Sequence, residues 1–262
     1  MIIDSHVHIY PDAIALKAAA SIGQFYEIPM QLDGTVHTLL EADRKAGIDR
    51  QLVHSVAVTP ERVESVNRFI VTSCSNYPQF IGFATMHPDH PQIEKVLTEA
   101  RDAGLRGVKL HPDFQKFHLD DDNAVAMFRI MADLDLPALI HTGDFRYSYS
   151  EPARMLHTLE MVPHLRVICA HLGGWSVWKD AWRTLAGHPR VWVDSSSSLY
   201  ALTPEEAVSI IRKYGVGRVF FGTDYPMWEP SEEMNRFDML PLTQAEKKAI
   251  LGENLQNFLR LD

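Results

Sequence analysis

The chain has 262 residues, 46% of them hydrophobic and 23% charged, so it contains enough apolar material for a sizeable core. The net charge is −9 and no cluster of Lys and Arg occurs, so binding to nucleic acid is not expected. The two cysteines, Cys74 and Cys169, are far apart in sequence and are predicted to be free thiols. The sequence contains no run of about 18 apolar residues, so no membrane-spanning helix is predicted. No secretory leader pattern opens the chain, and we therefore expect a soluble cytoplasmic protein.

Short apolar or β-branched runs alternate with longer helical patterns along the chain. The predicted strands cover 1–9, 50–58, 80–87, 105–111, 137–142, 166–172, 190–196 and 218–224. The predicted helices cover 35–46, 60–76, 89–103, 120–134, 150–161, 175–186, 204–213 and 242–259. Strict alternation is typical of parallel strands joined by right-handed crossovers, and eight such units favour a closed (β/α)₈ TIM barrel of the α/β class. A doubly wound open sheet is the alternative.

Two stretches carry no regular pattern and are predicted to be irregular: 10–34, after the first strand, and 226–241. Capping signals mark several helix ends, among them Gly47 and the capping-box spacing of Thr243 and Glu246. No linker or low-complexity segment interrupts the pattern. We therefore expect one domain over 1–262.

His6 and His8 close the first predicted strand. Residues i and i+2 of a strand project from the same face, so both imidazoles could bind one metal ion. Taken alone, the pattern is equally compatible with two unrelated histidines near a terminus.

Polar residues also end five later predicted strands. They are Lys109 and His111, His141, His171, Asp194 and Asp224. Active sites of (β/α)₈ enzymes lie at this end of the strands, and charged groups inside apolar strands are costly unless paired or metal-bound. Together these residues predict a metal site.

Five sequence motifs carry a family resemblance. They are Asp4-Ser-His6-Val-His8, Gly107-Val-Lys109-Leu-His111-Pro112, Ile140-His141-Thr142-Gly143, Ala170-His171-Leu-Gly173-Gly174 and Phe221-Gly222-Thr223-Asp224-Tyr225-Pro226. In this order and at strand ends, they resemble the amidohydrolase superfamily. Within it the chain is most similar to the amidohydrolase-related branch, which includes aminocarboxymuconate semialdehyde decarboxylase, resorcylate-type decarboxylases and several hydrolases and lactonases.

The resemblance implies a site with one divalent ion, bound by His6, His8, His141 and Asp224. Zn²⁺ is favoured for this donor set, with Mn²⁺ and Fe²⁺ as alternatives. The resemblance also implies that His171 is the catalytic histidine that moves a proton. Asp224 would serve both as ligand and as proton acceptor.

The role of Lys109 is left open by the sequence. It could be a carboxylated lysine bridging two metal ions, an ammonium that binds a substrate carboxylate or oxyanion, or half of a structural ion pair. One metal is favoured, because the decarboxylase-like branch is largely mononuclear.

His111, Arg146 and Trp175 are predicted to bind substrate, because aromatic residues and one cation in strand-end loops suit a small flat carboxylate. Helix packing explains Trp175 equally well. His54 and the other remaining histidines are given no role.

For the reaction, hydrolysis of a small amide, lactone or ester by metal-activated water is favoured. The alternative is non-oxidative decarboxylation of a small unsaturated or aromatic carboxylate at the same site. Hydrolysis ranks first because decarboxylases of this branch are usually longer chains. A metal-dependent nuclease and a non-catalytic metal-binding module are weaker alternatives. Analogy with relatives suggests a homodimer.

Overall fold

The computed structural model describes residues 1–261, in which nine short strands occupy eight positions around a barrel. All neighbouring strands pair in parallel. β3 and β4 are two halves of one barrel strand, interrupted at Phe83. The strands are β1 (Ile3–His8), β2 (Arg50–His54), β3 (Phe80–Gly82), β4 (Ala84–Thr85), β5 (Val108–Leu110), β6 (Ala138–Ile140), β7 (Val167–Cys169), β8 (Val191–Asp194) and β9 (Val219–Phe220).

Main-chain hydrogen bonds close the ring at both places where regular pairing stops. Between β2 and β4, the N–H of Phe83 donates to the carbonyl of Val53 at 3.0 Å. Between β1 and the end of β9, the N–H of Ser5 donates to the carbonyl of Phe221 at 2.8 Å. The predicted closed (β/α)₈ barrel is therefore confirmed, and the open-sheet alternative is excluded.

Helices surround the barrel, and each of the eight predicted helices is present. The helices are α1 (Asp12–Tyr26), α2 (Val36–Ala46), α3 (Val63–Asn76), α4 (Ile93–Asp102), α5 (Pro112–Gln115), α6 (Asp122–Asp133), α7 (Pro152–Met161), α8 (Trp178–Leu185), α9 (Pro204–Tyr214), α10 (Pro230–Asp238), α11 (Gln244–Lys248) and α12 (Asn254–Leu259). A π-helical turn, Ala249–Glu253, joins α11 to α12. Thr243 forms the predicted capping box with Glu246, and Gly47 ends α2 with a φ of 73°.

Two helices correct the prediction that 10–34 and 226–241 are irregular. Helix α1 has an alanine-rich sequence of high helix propensity, but it buries only Ala15 and Ala19, so it lacks the wide apolar stripe that reveals a helix in sequence. Helix α10 begins at Pro230 and is capped by the side chain of Glu229, which accepts from two main-chain N–H groups.

The N-terminal end of the barrel is filled by apolar side chains. Ile3, Leu52 and Phe220 from the strands pack with Leu255 and Phe258 of α12. The cavity described below therefore opens at the other end, where the polar strand ends meet. Within residues 1–261, no helix has both the length and the apolarity needed to cross a membrane.

Candidate metal centre and active site

Three ligand-type atoms converge at the C-terminal end of β1. Nε2 of His6 lies 3.3 Å from Nε2 of His8, and Oδ1 of Asp224 lies 3.4 and 3.5 Å from these two nitrogens. Donors bound at 2.0–2.1 Å to a tetrahedral ion are roughly 3.3–3.4 Å apart. The three atoms therefore have the spacing of one face of a zinc-sized coordination site.

The orientation of His6 is fixed by Asp194, the last residue of β8. Its Oδ2 lies 2.9 Å from Nδ1 of His6, and both side chains are fully buried. A carboxylate can only accept a hydrogen bond, so Nδ1 carries the proton and the lone pair of Nε2 faces His8 and Asp224. A carboxylate that orients a histidine in this way is typical of metal centres. Asp194 therefore holds His6 through the ring nitrogen that does not face the candidate metal site.

A chain of hydrogen bonds orients His171 and His141. Nδ1 of His171 lies 3.0 Å from the carbonyl oxygen of Ser196, which accepts its proton. Nε2 of His171 then accepts from Nδ1 of His141, also at 3.0 Å. Nε2 of His141 is left with its lone pair and has no hydrogen-bond partner within the described part of the chain. This tautomer allows His141 to bind a metal through Nε2.

The imidazoles at the centre are held neutral, which is the state that binds metals. Burial, reinforced by the nearby Lys109 ammonium, lowers the pKa of His8 to about 3. Burial also lowers the pKa of His6 and of His141 well below the usual value. The predicted ligands His6, His8 and Asp224 thus fit a divalent ion in spacing. His141 fits in protonation, but its Nε2 lies 3.6 Å from Oδ2 of Asp113. The ligand role of all four residues stays a prediction.

Lys109 on β5 is fully buried, and its Nζ lies 2.9 Å from Nε2 of His6. Burial lowers the pKa of this ammonium to about 8. Among residues 1–261, no carboxylate oxygen lies within the 4.0 Å of an ion pair with Lys109. Asp224 and Asp194 favour the charged form of Lys109 from a greater distance, and the role of Lys109 stays a prediction.

A narrow cavity with a volume of about 30 Å³ leads to these groups. The ring of His111 stacks on His141 with centroids 4.0 Å apart and on Phe114 with centroids 3.7 Å apart. Tyr26, the last residue of α1, places its hydroxyl 2.7 Å from Nε2 of His111. The cavity is lined by His6, His8, Ile22, Tyr26, Met30, Lys109, His111, Phe114, His141, His171, Asp224, Pro226 and Met227.

Arg146 and Trp175, which were predicted to bind substrate, lie outside this lining. The guanidinium of Arg146 pairs with Asp144 at 2.7 Å and donates to the carbonyl oxygen of Phe25, also at 2.7 Å. Its carbon lies 4.7 Å from the ring of Phe25 and 5.5 Å from that of Trp175. Both residues therefore contact the end of α1, and their substrate contacts stay a prediction. His111 does reach the cavity, as expected.

Three residues of the sequence motifs, His171, Gly173 and Asp224, have a left-handed backbone conformation. His171 and Asp224 both have positive φ, 60° and 63°, which is rare for residues with a side chain and concentrates at functional sites. Gly173 has a φ of 86°, and a Cβ there would lie only 2.0 Å from the hydroxyl of Tyr214. The His-x-Gly-Gly turn therefore admits no larger residue at Gly173.

Sequence reasoning missed His54. The predicted strand 50–58 extended past the true end of β2, which is His54 itself. His54 pairs in register with His8, so it ends its strand as His8 ends β1. A correct strand boundary would have revealed His54 by the same strand-end rule that identified the other residues.

A closed parallel β/α barrel with candidate metal ligands at its C-terminal strand ends defines the class of this protein. The chain belongs to the Amidohydrolase family, whose model matches residues 3–261. The expectation drawn from the motifs is thus confirmed.

Similar proteins of known name include decarboxylases. A gamma-resorcylate decarboxylase from Polaromonas sp. strain JS666 is 23% identical over 77% of each chain. The structure of 5-carboxyvanillate decarboxylase from Sphingomonas paucimobilis has a TM-score of 0.77 at 14% identity and covers 100% of this chain and 99% of its own. A dihydroxybenzoic acid decarboxylase from Polaromonas sp. JS666, with bound manganese and the inhibitor 2-nitroresorcinol, has a TM-score of 0.76 at 16% identity and covers 99% of this chain and 97% of its own. At these identities the two structures show a shared fold.

Proposed function

We propose that this protein is a metal-dependent decarboxylase of a small, planar, unsaturated or aromatic carboxylate. The observation that carries the proposal is Lys109, a fully buried ammonium that forms no direct ion pair within residues 1–261. Its Nζ lies 2.9 Å from Nε2 of His6, and Asp224 and Asp194 act on it only from beyond 4.0 Å. A buried charge is costly unless it is paired. A substrate carboxylate entering the cavity would supply the missing opposite charge.

Relatives support the same reaction class. The curated relative and both solved structures described above are named as decarboxylases of hydroxylated aromatic acids. The stacked rings of His111 and Phe114 give the cavity a lining that suits a flat substrate.

We propose His6, His8, His141 and Asp224 as the residues that hold one divalent ion. When bound, this ion supplies Lewis acidity for the oxygen atoms of the substrate. Imidazole and carboxylate donors suit Zn²⁺, Mn²⁺ and Fe²⁺, and manganese is the ion in the Polaromonas structure.

The remaining polar residues would position the substrate and move a proton. Lys109 would pair with the carboxylate that leaves as CO₂. Breaking that carbon–carbon bond leaves an electron pair on the ring carbon, which must then take up a proton. We propose His171 for this step. Its Nδ1 is held by the carbonyl of Ser196, and its Nε2, which accepts from Nδ1 of His141, would take up a proton from solvent before delivering it to the ring carbon.

Hydrolysis of a small amide, lactone or ester is the second candidate. His171 and Asp224 would then manage the proton of an attacking water, and Lys109 would face the developing oxyanion. The sequence analysis ranked hydrolysis first because this chain is shorter than most decarboxylases of the branch. The unpaired buried Lys109 and the named relatives favour decarboxylation instead. The small-molecule substrate follows from either reaction, and the homodimer stays a prediction.

The test is a paired assay on protein purified without chelator, after its metal content is measured by elemental mass spectrometry. Release of CO₂ from 2,6-dihydroxybenzoate and 5-carboxyvanillate is measured beside hydrolysis of simple lactones and nitrophenyl esters. We expect CO₂ release that disappears in Asp224→Asn. The control is Asp133→Asn, a change at an exposed aspartate outside the candidate site, and this variant should retain CO₂ release. Hydrolysis that depends on Asp224 without any CO₂ release would reverse the ranking.

A further inference from the structure

His54 ends strand β2 beside the two histidines of β1. It pairs in register with His8, and its ring centroid lies 4.4 Å from that of His8 and 5.0 Å from that of His6. The side chain of His54 is fully buried. Neither of its ring nitrogens has a hydrogen-bond partner within residues 1–261.

A buried imidazole with both nitrogens unpartnered is unusual, because buried polar atoms are nearly always hydrogen-bonded. Other buried imidazoles at the site have partners that explain them. Nδ1 of His6 faces Asp194, Nδ1 of His171 faces Ser196, and Nε2 of His111 faces Tyr26. His54 alone among these four has no such explanation, and it lies against the candidate ligands.

Besides His6, His8 and Asp224, two further sets of three side chains within residues 1–261 have donor atoms close enough to share an ion. In one set, His6, His8 and His54 each offer a nitrogen within 4.8 Å of the others. The other set is His6, His171 and Asp194. In that second set, the contacts of Asp194 are hydrogen bonds to Nδ1 of His6 and to the N–H of His171, so its closeness is already explained. The set with His54 has no such alternative.

We propose that His54 is a further ligand of the divalent ion in this chain. This inference rests on the metal centre of the proposed function and extends it to strand β2. With the predicted ligands His6, His8, His141 and Asp224, the protein would then supply five donors instead of four. A fourth imidazole also shifts the preference of the site away from Mn²⁺ and towards imidazole-favouring ions such as Zn²⁺ and Fe²⁺.

The variant His54→Phe separates ligation from packing, because phenylalanine keeps a flat ring against His8 but has no nitrogen. The matched control is His90→Phe, since His90 is also buried (8% exposed) but belongs to neither set of potential ligands. The first readout is the dissociation constant of Zn²⁺, measured by competition with a chromophoric chelator. We expect His54→Phe to weaken Zn²⁺ binding at least tenfold and His90→Phe to change it less than twofold.

The second readout counts the ligands directly. Protein labelled with ¹⁵N in histidine and loaded with ¹¹³Cd²⁺ shows a ¹⁵N–¹¹³Cd coupling for each ligating imidazole. We expect four coupled imidazoles in the wild type and three in His54→Phe. If His54→Phe does not fold, His54→Gln replaces it. A variant that shows as many coupled imidazoles as the wild type overturns the proposal.

The third readout is thermal unfolding with and without Zn²⁺. Without metal, His54→Phe should melt at a higher temperature than the wild type, because two unpartnered buried nitrogens are gone. When Zn²⁺ is added, the melting temperature of the variant should rise less than that of the wild type, because a ligand that binds more weakly stabilises the folded state less. If His54 only packed against its neighbours, its replacement would change the melting temperature by the same amount with and without Zn²⁺.

The outcomes also separate this inference from the proposed function. Zinc binding that depends on Asp224 but not on His54 would overturn the inference and leave the metal centre intact. A wild-type protein that binds no divalent ion would overturn both.

Discussion

The hydroxyl of Tyr26 lies 2.7 Å from Nε2 of His111, so the last residue of helix α1 is hydrogen-bonded to the residue that follows strand β5. A second contact fixes the same helix end, because Arg146 donates to the carbonyl of Phe25. Ile22 and Tyr26 of α1 both line the cavity. Helix α1, which has no equivalent among the eight helices of a simple barrel, therefore forms a wall of the candidate active site.

Replacing Arg146 is expected to loosen this wall without disturbing the metal. Arg146→Met removes the hydrogen bond to Phe25 and the ion pair with Asp144. Hydrogen bonds to charged groups contribute about 1.5–3 kcal/mol, so we expect KM to rise about tenfold or more. Hydrogen exchange over 12–26 should become faster, while the metal content stays constant. Arg154→Met, which breaks a pair with Asp120 elsewhere, is the control. Unchanged exchange over 12–26 would contradict this role.

Removing a metal ligand is expected to lower metal content. Asp224→Asn changes the carboxylate that lies 3.4 Å from His6, and His141→Ala removes an imidazole whose Nε2 has no hydrogen-bond partner within residues 1–261. We expect each variant to retain clearly less metal than the wild type after dialysis, as measured by elemental mass spectrometry. A variant that keeps the full complement would remove its residue from the ligand set.

The proposed catalytic role of His171 predicts a loss of turnover without loss of metal. In His171→Asn, the amide can still donate to the carbonyl of Ser196, but it cannot carry a proton to substrate. We expect kcat to fall about 10²–10⁴-fold, the range for a general acid or base. Metal content should equal that of the wild type. A variant with normal turnover would show that the proton comes from elsewhere.

Lys109→Met tests the buried cation. Methionine preserves much of the volume of the side chain but removes the charge that lies 2.9 Å from His6. Breaking a buried charge pair costs about 2–5 kcal/mol, so we expect the KM for a carboxylate substrate to rise at least tenfold. Hydrolysis of a neutral ester, if present, should change much less. One ion per chain should remain, and loss of a second ion would instead indicate a bridging carboxylated lysine.

The barrel and most of the site were predictable from sequence because both follow from simple periodicity. His6, His8, Lys109 and Asp224 end apolar runs, and a parallel barrel brings all strand ends to one rim. Helix α1 was missed because it buries only two alanines.

His54 was missed for a different reason, since one strand was predicted four residues too long. Contacts between distant segments, such as Tyr26 with His111 across 85 positions, leave no periodic signal in sequence. These features needed the structure.

The last prediction concerns Asp43, a buried carboxylate on α2 that is 1% exposed. Within residues 1–261, neither of its oxygens has a hydrogen-bond partner at normal distance, and the nearby Gln51 side chain lowers the pKa only slightly. Burial, with a smaller contribution from the nearby Asp4, raises the pKa of Asp43 from 3.8 to about 8. Between these two values the folded protein retains a proton that the unfolded chain has lost. Unfolding then releases a proton, so the free energy of unfolding contributed by Asp43 falls as pH rises from about 4 to about 8.

Asp43→Asn should remove that part of the pH dependence. One pKa unit corresponds to about 1.4 kcal/mol, and we expect the variant to gain at least ~2 kcal/mol relative to wild type between pH 5 and pH 9. Urea unfolding at a series of pH values measures this difference directly. The buried amide in Asp43→Asn adds a cost that does not depend on pH, so it does not affect the slope of the free energy of unfolding against pH. The exposed Asp133→Asn should leave the slope unchanged. Parallel slopes for Asp43→Asn and wild type would mean that Asp43 gains a partner in solution, because only pairing would keep its pKa near the unfolded value.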